Sequence, residues 1–199
     1  MGPTRDRIIV ATNELFRRHG YHATSLSQIS EASGATIGSI YHFFPGGKEA
    51  LTVAVISSTG EVYRELFESI AAAADDPATA YIDFFSGAAA VLEETDFIDP
   101  CPIGTIAREV ASTNEPLRQA AARAFESWID ASRTHLASAG VPPDTAEELA
   151  ALFVSTIEGM FVLCRTRRDT APLHAAGRRL AALVEQSARA TAGSNVAWR

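Results

Sequence analysis

Residues 35–51 read "ATIGSIYHFFPGGKEAL". Ile40 and Phe44 lie four apart and share one helical face, while Pro45 cannot continue a helix. The spacing predicts a short helix over Thr36–Phe44 that turns Thr36, Ile37, Ser39, Tyr41 and His42 outward. An outward isoleucine is unfavourable in water but can meet a thymine methyl, and Ser39 and His42 can hydrogen-bond to base edges. Gly38 costs such a helix about 1 kcal/mol relative to alanine, and a close backbone approach is the plausible return. Gly46, Gly47 and Lys48 then open a longer helix, where backbone N–H groups, the positive end of the helix dipole and an ammonium suit a phosphate.

Working back toward the N-terminus, a first helix starts near Thr4 and is expected to bury Ile8, Ala11, Leu15 and Phe16. Gly20 stands where a left-handed cap would stop it. Thr24 or Ser25 caps a second helix whose inward residues are read as Leu26, Ile29 and Ala32, and Gly34 makes the turn into Thr36–Phe44. Two short helices joined by a glycine turn, with a first helix across them, form a helix-turn-helix unit whose last helix enters the major groove. Thr24, Ser25 and Tyr41 are placed as phosphate contacts beside Lys48.

Forward of residue 51, almost every segment reads as helix. The long helix from Gly47 runs to "DDP" (75–77), where Asp76 and Pro77 signal the next, about 77–94. A loop over 96–102 leads to a helix of about 103–113. Asn114 caps about 115–138, Asp144 caps about 145–167, and the last helix covers about 172–192. The fold class is all-α. It is divided into a three-helix DNA-binding domain over 1–48, a larger helical domain over 49–192, and a frayed tail over 193–199.

Composition agrees with an ordinary globular chain of 199 residues, 47% hydrophobic. No uninterrupted apolar run approaches the roughly 18 residues that cross a bilayer, and no signal peptide is seen, so no membrane partner and a cytoplasmic location are expected. The net charge is −7, yet residues 1–50 hold five Lys/Arg against four acids, +1, which leaves the remainder at −8. The five histidines show neither HExxH nor paired ExxH spacing, and no nucleophile elbow, P-loop or dinucleotide fingerprint is present. No metal, no cofactor and no catalytic residue are therefore expected. Cys101 and Cys164 read as small buried hydrophobes.

Residues 5–51 resemble, along their whole length, the N-terminal domain of the TetR family of bacterial transcriptional regulators. The matching positions include Ile8, Ala11, Leu15, Phe16, Gly20, Thr24, Ile29, Ala32, Gly34, Gly38, Tyr41, Phe44, Lys48 and Leu51. The resemblance implies a homodimer that binds double-stranded operator DNA and is released by a small-molecule effector. Ile37 departs from the lysine or other polar residue the family commonly carries there. "DPCPIGTIAREVA" (99–111) and "FPGGKE" are similar to a branch that includes flavonoid- and drug-sensing repressors of efflux genes.

Aromatic rings among alanines in the larger domain either pack tightly or leave a cavity, and spacing does not separate the two. Phe67, Phe84, Phe125, Trp128, Phe153 and Met160 are the expected effector lining. Leu149, Leu152, Thr156, Gly159 and Leu163, with Leu173, Leu180, Leu183 and Val184, are expected on a face that pairs two copies as a four-helix bundle. A DNA-binding dimer with no inducer remains the alternative, distinguished by a filled core.

Overall fold

The structure is a computed structural model that describes residues 2–98 and 101–194, the last four as backbone only. Among the described residues there are nine helices and no strand. They are α1 (Pro3–His19), α2 (Leu26–Ser33), α3 (Ile37–Phe43), α4 (Gly47–Ala73), α5 (Thr79–Glu94), α6 (Pro102–Val110), α7 (Glu115–Ser138), α8 (Pro143–Arg167) and α9 (Ala171–Ser194). Expected tail residues 195–199, and Asp99 and Pro100 of the expected loop, lie outside the described residues.

Packing divides the chain into two compact units, Met1–Val62 with Cys101–Ala124, and Tyr63–Pro100 with Phe125–Arg199. The first compact unit thus extends past the expected boundary at residue 48 and takes in α6 and the start of α7.

In the first unit α1 packs on α2, α3 and α6. Pro3 presets the first turn of α1, and Arg17, Arg18 and His19 sit at its negative end. Its fully buried residues are Ile8 and Phe16 with Thr12, whose hydroxyl is satisfied by the Ile8 carbonyl at 2.7 Å. Ala11 and Leu15, expected inside, are half-buried, and Ile9 takes a buried place. In α2 the expected inward Ala32 is exposed and Ser33 is buried instead, four residues after Ile29 on the same helical face. Gly34 is left-handed, at φ 65° and ψ 17°, as the turn requires.

The second unit is built on α9, which packs along α5 and α8. Gly177 of α9 permits the close approach to α5, since a Cβ there would lie 2.9 Å from Cβ of Phe85. Asp76 accepts from the Ala78 and Thr79 N–H groups in the turn before α5, but the cap position is Ala78 and the helix starts at Thr79, two residues later than expected. Asp144 does not cap α8: the cap position is Pro142 and Asp144 stands in the first turn. After α5, Asp96 and Phe97 both adopt left-handed backbone, a cost of about 1–3 kcal/mol each. Arg165 and Arg168 hold that bend by donating to the Phe97 and Asp96 carbonyls, both at 3.1 Å.

The expected effector lining is largely core. Phe153 is 2% exposed and meets the rings of Phe67, Tyr81, Phe84 and Phe85 within 6.0 Å. Tyr81 is fully buried with its hydroxyl 2.8 Å from that of Ser132, and burial pushes its phenol well above the usual range. Phe125 and Trp128 form a separate pair, with Tyr63 on Trp128. Met160 is half-buried on α8. The expected pairing face divides as well. Leu149, Leu173, Leu180 and Val184 are buried within the chain's own core, whereas Leu152, Leu163 and Leu183 are exposed. Thr156 is half-buried, and Gly159 is exposed with open space around it. Hydrophobicity at helical spacing identified apolar positions but not which of two partners covers each.

By length and apolarity α8 would suffice to cross a bilayer, with a mean hydropathy of 1.5 over its best 18 residues. It instead packs along α9, burying Leu149, Phe153, Val154, Ile157, Phe161 and Cys164.

Candidate nucleic-acid interface

Ser25 caps α2 through a reciprocal box: Gln28 N–H donates to its hydroxyl, and the Gln28 side chain accepts from the Ser25 N–H at 2.8 Å. Thr36 caps α3 by accepting from the Ser39 N–H at 3.1 Å, and the two hydroxyls lie 2.9 Å apart. Ser25 and Thr36 are exposed, so each combines a helix-starting role with an accessible oxygen, whereas Ser39, expected outward, is half-buried.

Along α3 the expected division holds. Ile40 is fully buried and Phe44 nearly so, while Ile37 is 43% and Tyr41 50% exposed, with His42 exposed beside them. The Tyr41 ring lies against Gly47, where φ is +63° and a Cβ would fall 3.1 Å from the ring. Gly47 thus makes the turn into α4 and leaves room for Tyr41.

Two expected contacts are corrected. Thr24 is 1% exposed and its hydroxyl donates to the Gly20 carbonyl at 2.8 Å, so it locks the turn from inside. The Gly47 N–H donates to the Phe44 carbonyl at 2.7 Å, which removes it from the expected group of anion-facing amides. Lys48 is half-buried, with its ammonium 4.1 Å from the centre of the Tyr21 ring. Burial lowers its pKa, and the charge of Glu109 opposes that shift. The Tyr21 phenol is raised, first by burial and then by the charge of Glu49.

Sequence reasoning missed the long-range ties of Glu109 and of Asn114, whose role as the α7 cap it did expect. Glu109 accepts from the Tyr21 and His22 backbone N–H groups, and Asn114 donates to Glu49 at 2.6 Å. Both pairings span more than sixty positions, so no local spacing marks them.

A helix-turn-helix with a capped second helix and an outward Ile-Tyr-His face is matched by a family model described as bacterial regulatory proteins, tetR family, over residues 8–55. A second, described as transcriptional regulator LmrA/YxaF-like, C-terminal domain, matches residues 77–179, more than half of the chain. This chain belongs to the TetR family. It is similar to the HTH-type transcriptional regulator YxaF of Bacillus subtilis, 35% identical over 93% of this chain and 97% of that protein. The HTH-type regulator LmrA of the same organism is 33% identical over 86% and 92%. A TetR transcriptional regulator from Chloroflexus aurantiacus superposes with a TM-score of 0.77 at 29% identity, covering 92% and 95%. The TetR-family assignment makes the chain a DNA-binding transcriptional regulator rather than an enzyme.

Proposed function

We propose that this TetR-family regulator is a cytoplasmic homodimeric repressor, released from its operator by a small hydrophobic or aromatic molecule. The observation that carries the reading is the outward face of α3, where Ile37, Tyr41 and His42 stand exposed on the helix that Thr36 caps, with the Ser25 cap of α2 exposed as well. Side chains there read base edges, while Ser25, Tyr41 and Lys48 hold phosphates. Residues 1–48 act as the reading head, and 49–192 hold effector and partner.

Pairing is supported by the exposed strip of Leu152, Gly159, Val162 and Leu163 on α8, with Leu183 on α9. Apolar residues in that register suit a second copy about a twofold axis. For the effector, the packed rings around Phe153 direct attention to a groove of about 680 Å³ between α4 and α7 in the second unit. Phe67 meets it from the core, and Arg64, Glu68, Asp130, Thr134 and His135 give it polar walls, a mixture that suits one drug-sized molecule. Because α4 carries Lys48 in its first turn and Phe67 five turns on, a molecule in the groove that tilts α4 changes the placement of its phosphate contact.

Selection of DNA from random sequence, with the solution mass measured in parallel, tests the reading. The expected product is a twofold-symmetric site with half-sites about 34 Å or a multiple apart, bound by two chains. A single-chain mass, or no enrichment, overturns it. Compounds that raise the melting temperature should weaken operator binding; unchanged affinity at saturation removes the inducer and leaves a dimer without one.

A further inference from the structure

Glu109 on α6 has no part in the reading above, yet the chain builds a seat for its carboxylate. Tyr21 N–H donates to Oε1 at 3.2 Å and His22 N–H to Oε2 at 2.8 Å. Gly20 completes the seat, at φ +80°, and a Cβ there would lie only 2.0 Å from Oε1. Hydrogen bonds to an ionised acceptor are about twice as strong as neutral ones, so these two add to the hold that the Thr24 hydroxyl and the backbone keep on the turn. That turn runs directly to Thr24 and the Ser25 cap, and its Tyr21 ring carries the Lys48 ammonium. Asn114 adds a second tie on Glu49, the residue after Lys48. Groups delivered by α6 and the start of α7 therefore grip both the α1–α2 turn and the first turn of α4.

We propose that Glu109 is a positioning residue for operator recognition: seated on the Tyr21 and His22 amides, its carboxylate sets the turn that aligns Lys48 and the start of α2 with phosphate. The inference rests on the DNA-reading role of α2 and α3. Electrostatics alone predicts the opposite effect, since an acid near Lys48 repels DNA and its removal should tighten binding to any sequence.

The test compares full-length wild type, Glu109→Gln and Glu109→Ala on a duplex recovered by selection and on a scrambled duplex. Loss of the seat should weaken selected-duplex binding by about tenfold and scrambled-duplex binding by less, because both duplexes share the phosphate contacts and only the selected one depends on register. Amide exchange should lose protection at Tyr21 and His22 and keep it at Ile29, which separates the seat from misfolding. Gly20→Ala should cost less binding in the Glu109→Ala background than in wild type, because the atom it collides with is gone. Selected-duplex affinity in Glu109→Gln equal to or above wild type, or an identical Gly20→Ala effect in both backgrounds, overturns the proposal. Wild type that fails to discriminate the two duplexes overturns the DNA reading itself and this inference with it.

Discussion

In the first compact unit, exposed side chains sit where local backbone chemistry puts them; in the second, apolar side chains sit wherever a partner covers them. Ser25 and Thr36 each start a helix with their own oxygen, and Ile37, Tyr41 and His42 follow from a seven-residue helix whose inner side is Ile40. In the second unit, Leu149 and Leu152 stand three apart on one helix, and the first is buried while the second is 42% exposed. A surface for reading DNA can thus be inferred from a few residues. A core, a groove and a pairing face look alike until the chain is folded.

The largest expected effect probes the second unit. Phe153→Ala removes a ring that four other rings touch, and urea unfolding should show a loss of about 3–5 kcal/mol. A loss below about 1 kcal/mol would mean that Phe153 borders open space, the outcome the sequence left open. Two glycines sharpen the same point. Gly177→Ala drives a methyl into Phe85 and should destabilise by about 1–3 kcal/mol. Gly159→Ala meets open space on a helix and should stabilise an isolated chain by up to about 1 kcal/mol, while weakening self-association seen by sedimentation.

Smaller effects separate two adjacent residues of the first unit. Thr24→Val leaves the Gly20 carbonyl without its buried donor and should cost about 1–3 kcal/mol in thermal unfolding. Ser25→Ala loses the cap, about 1 kcal/mol, and also the proposed phosphate contact, so operator binding should fall further than stability does. The smallest effect is at the start of α7, where hydrogen bonds from Arg118 and Gln119 lower the Glu115 carboxyl to about 2. A depressed carboxylate stabilises the fold above its unfolded value of 4.5 and ceases to as pH falls through about 2. The stability difference between wild type and Arg118→Ala should therefore be present at neutral pH and close over that interval.

Much of this was legible in the sequence for physical reasons. Asn114 caps α7 as expected, and the bounds of that helix, Glu115–Ser138, follow from its cap and Gly140. Ile40 and Phe44 were readable because a short helix has only one inner side. Thr24 was misplaced because a hydroxyl at a helix start serves equally as an outward contact or an inward lock, and only the Gly20 carbonyl decides. Glu109 was invisible, since its partners are backbone amides eighty-eight and eighty-seven positions away.

The central claim is that the outward side of α3 chooses the DNA sequence, and discrimination between a selected and a scrambled duplex measures it most directly. In a variant carrying Ile37→Ala and His42→Ala, with circular dichroism unchanged, the preference for the selected duplex should collapse at least about thirtyfold, at about 1–3 kcal/mol per lost base contact. A variant that keeps the wild-type preference would show that sequence is read elsewhere on the molecule.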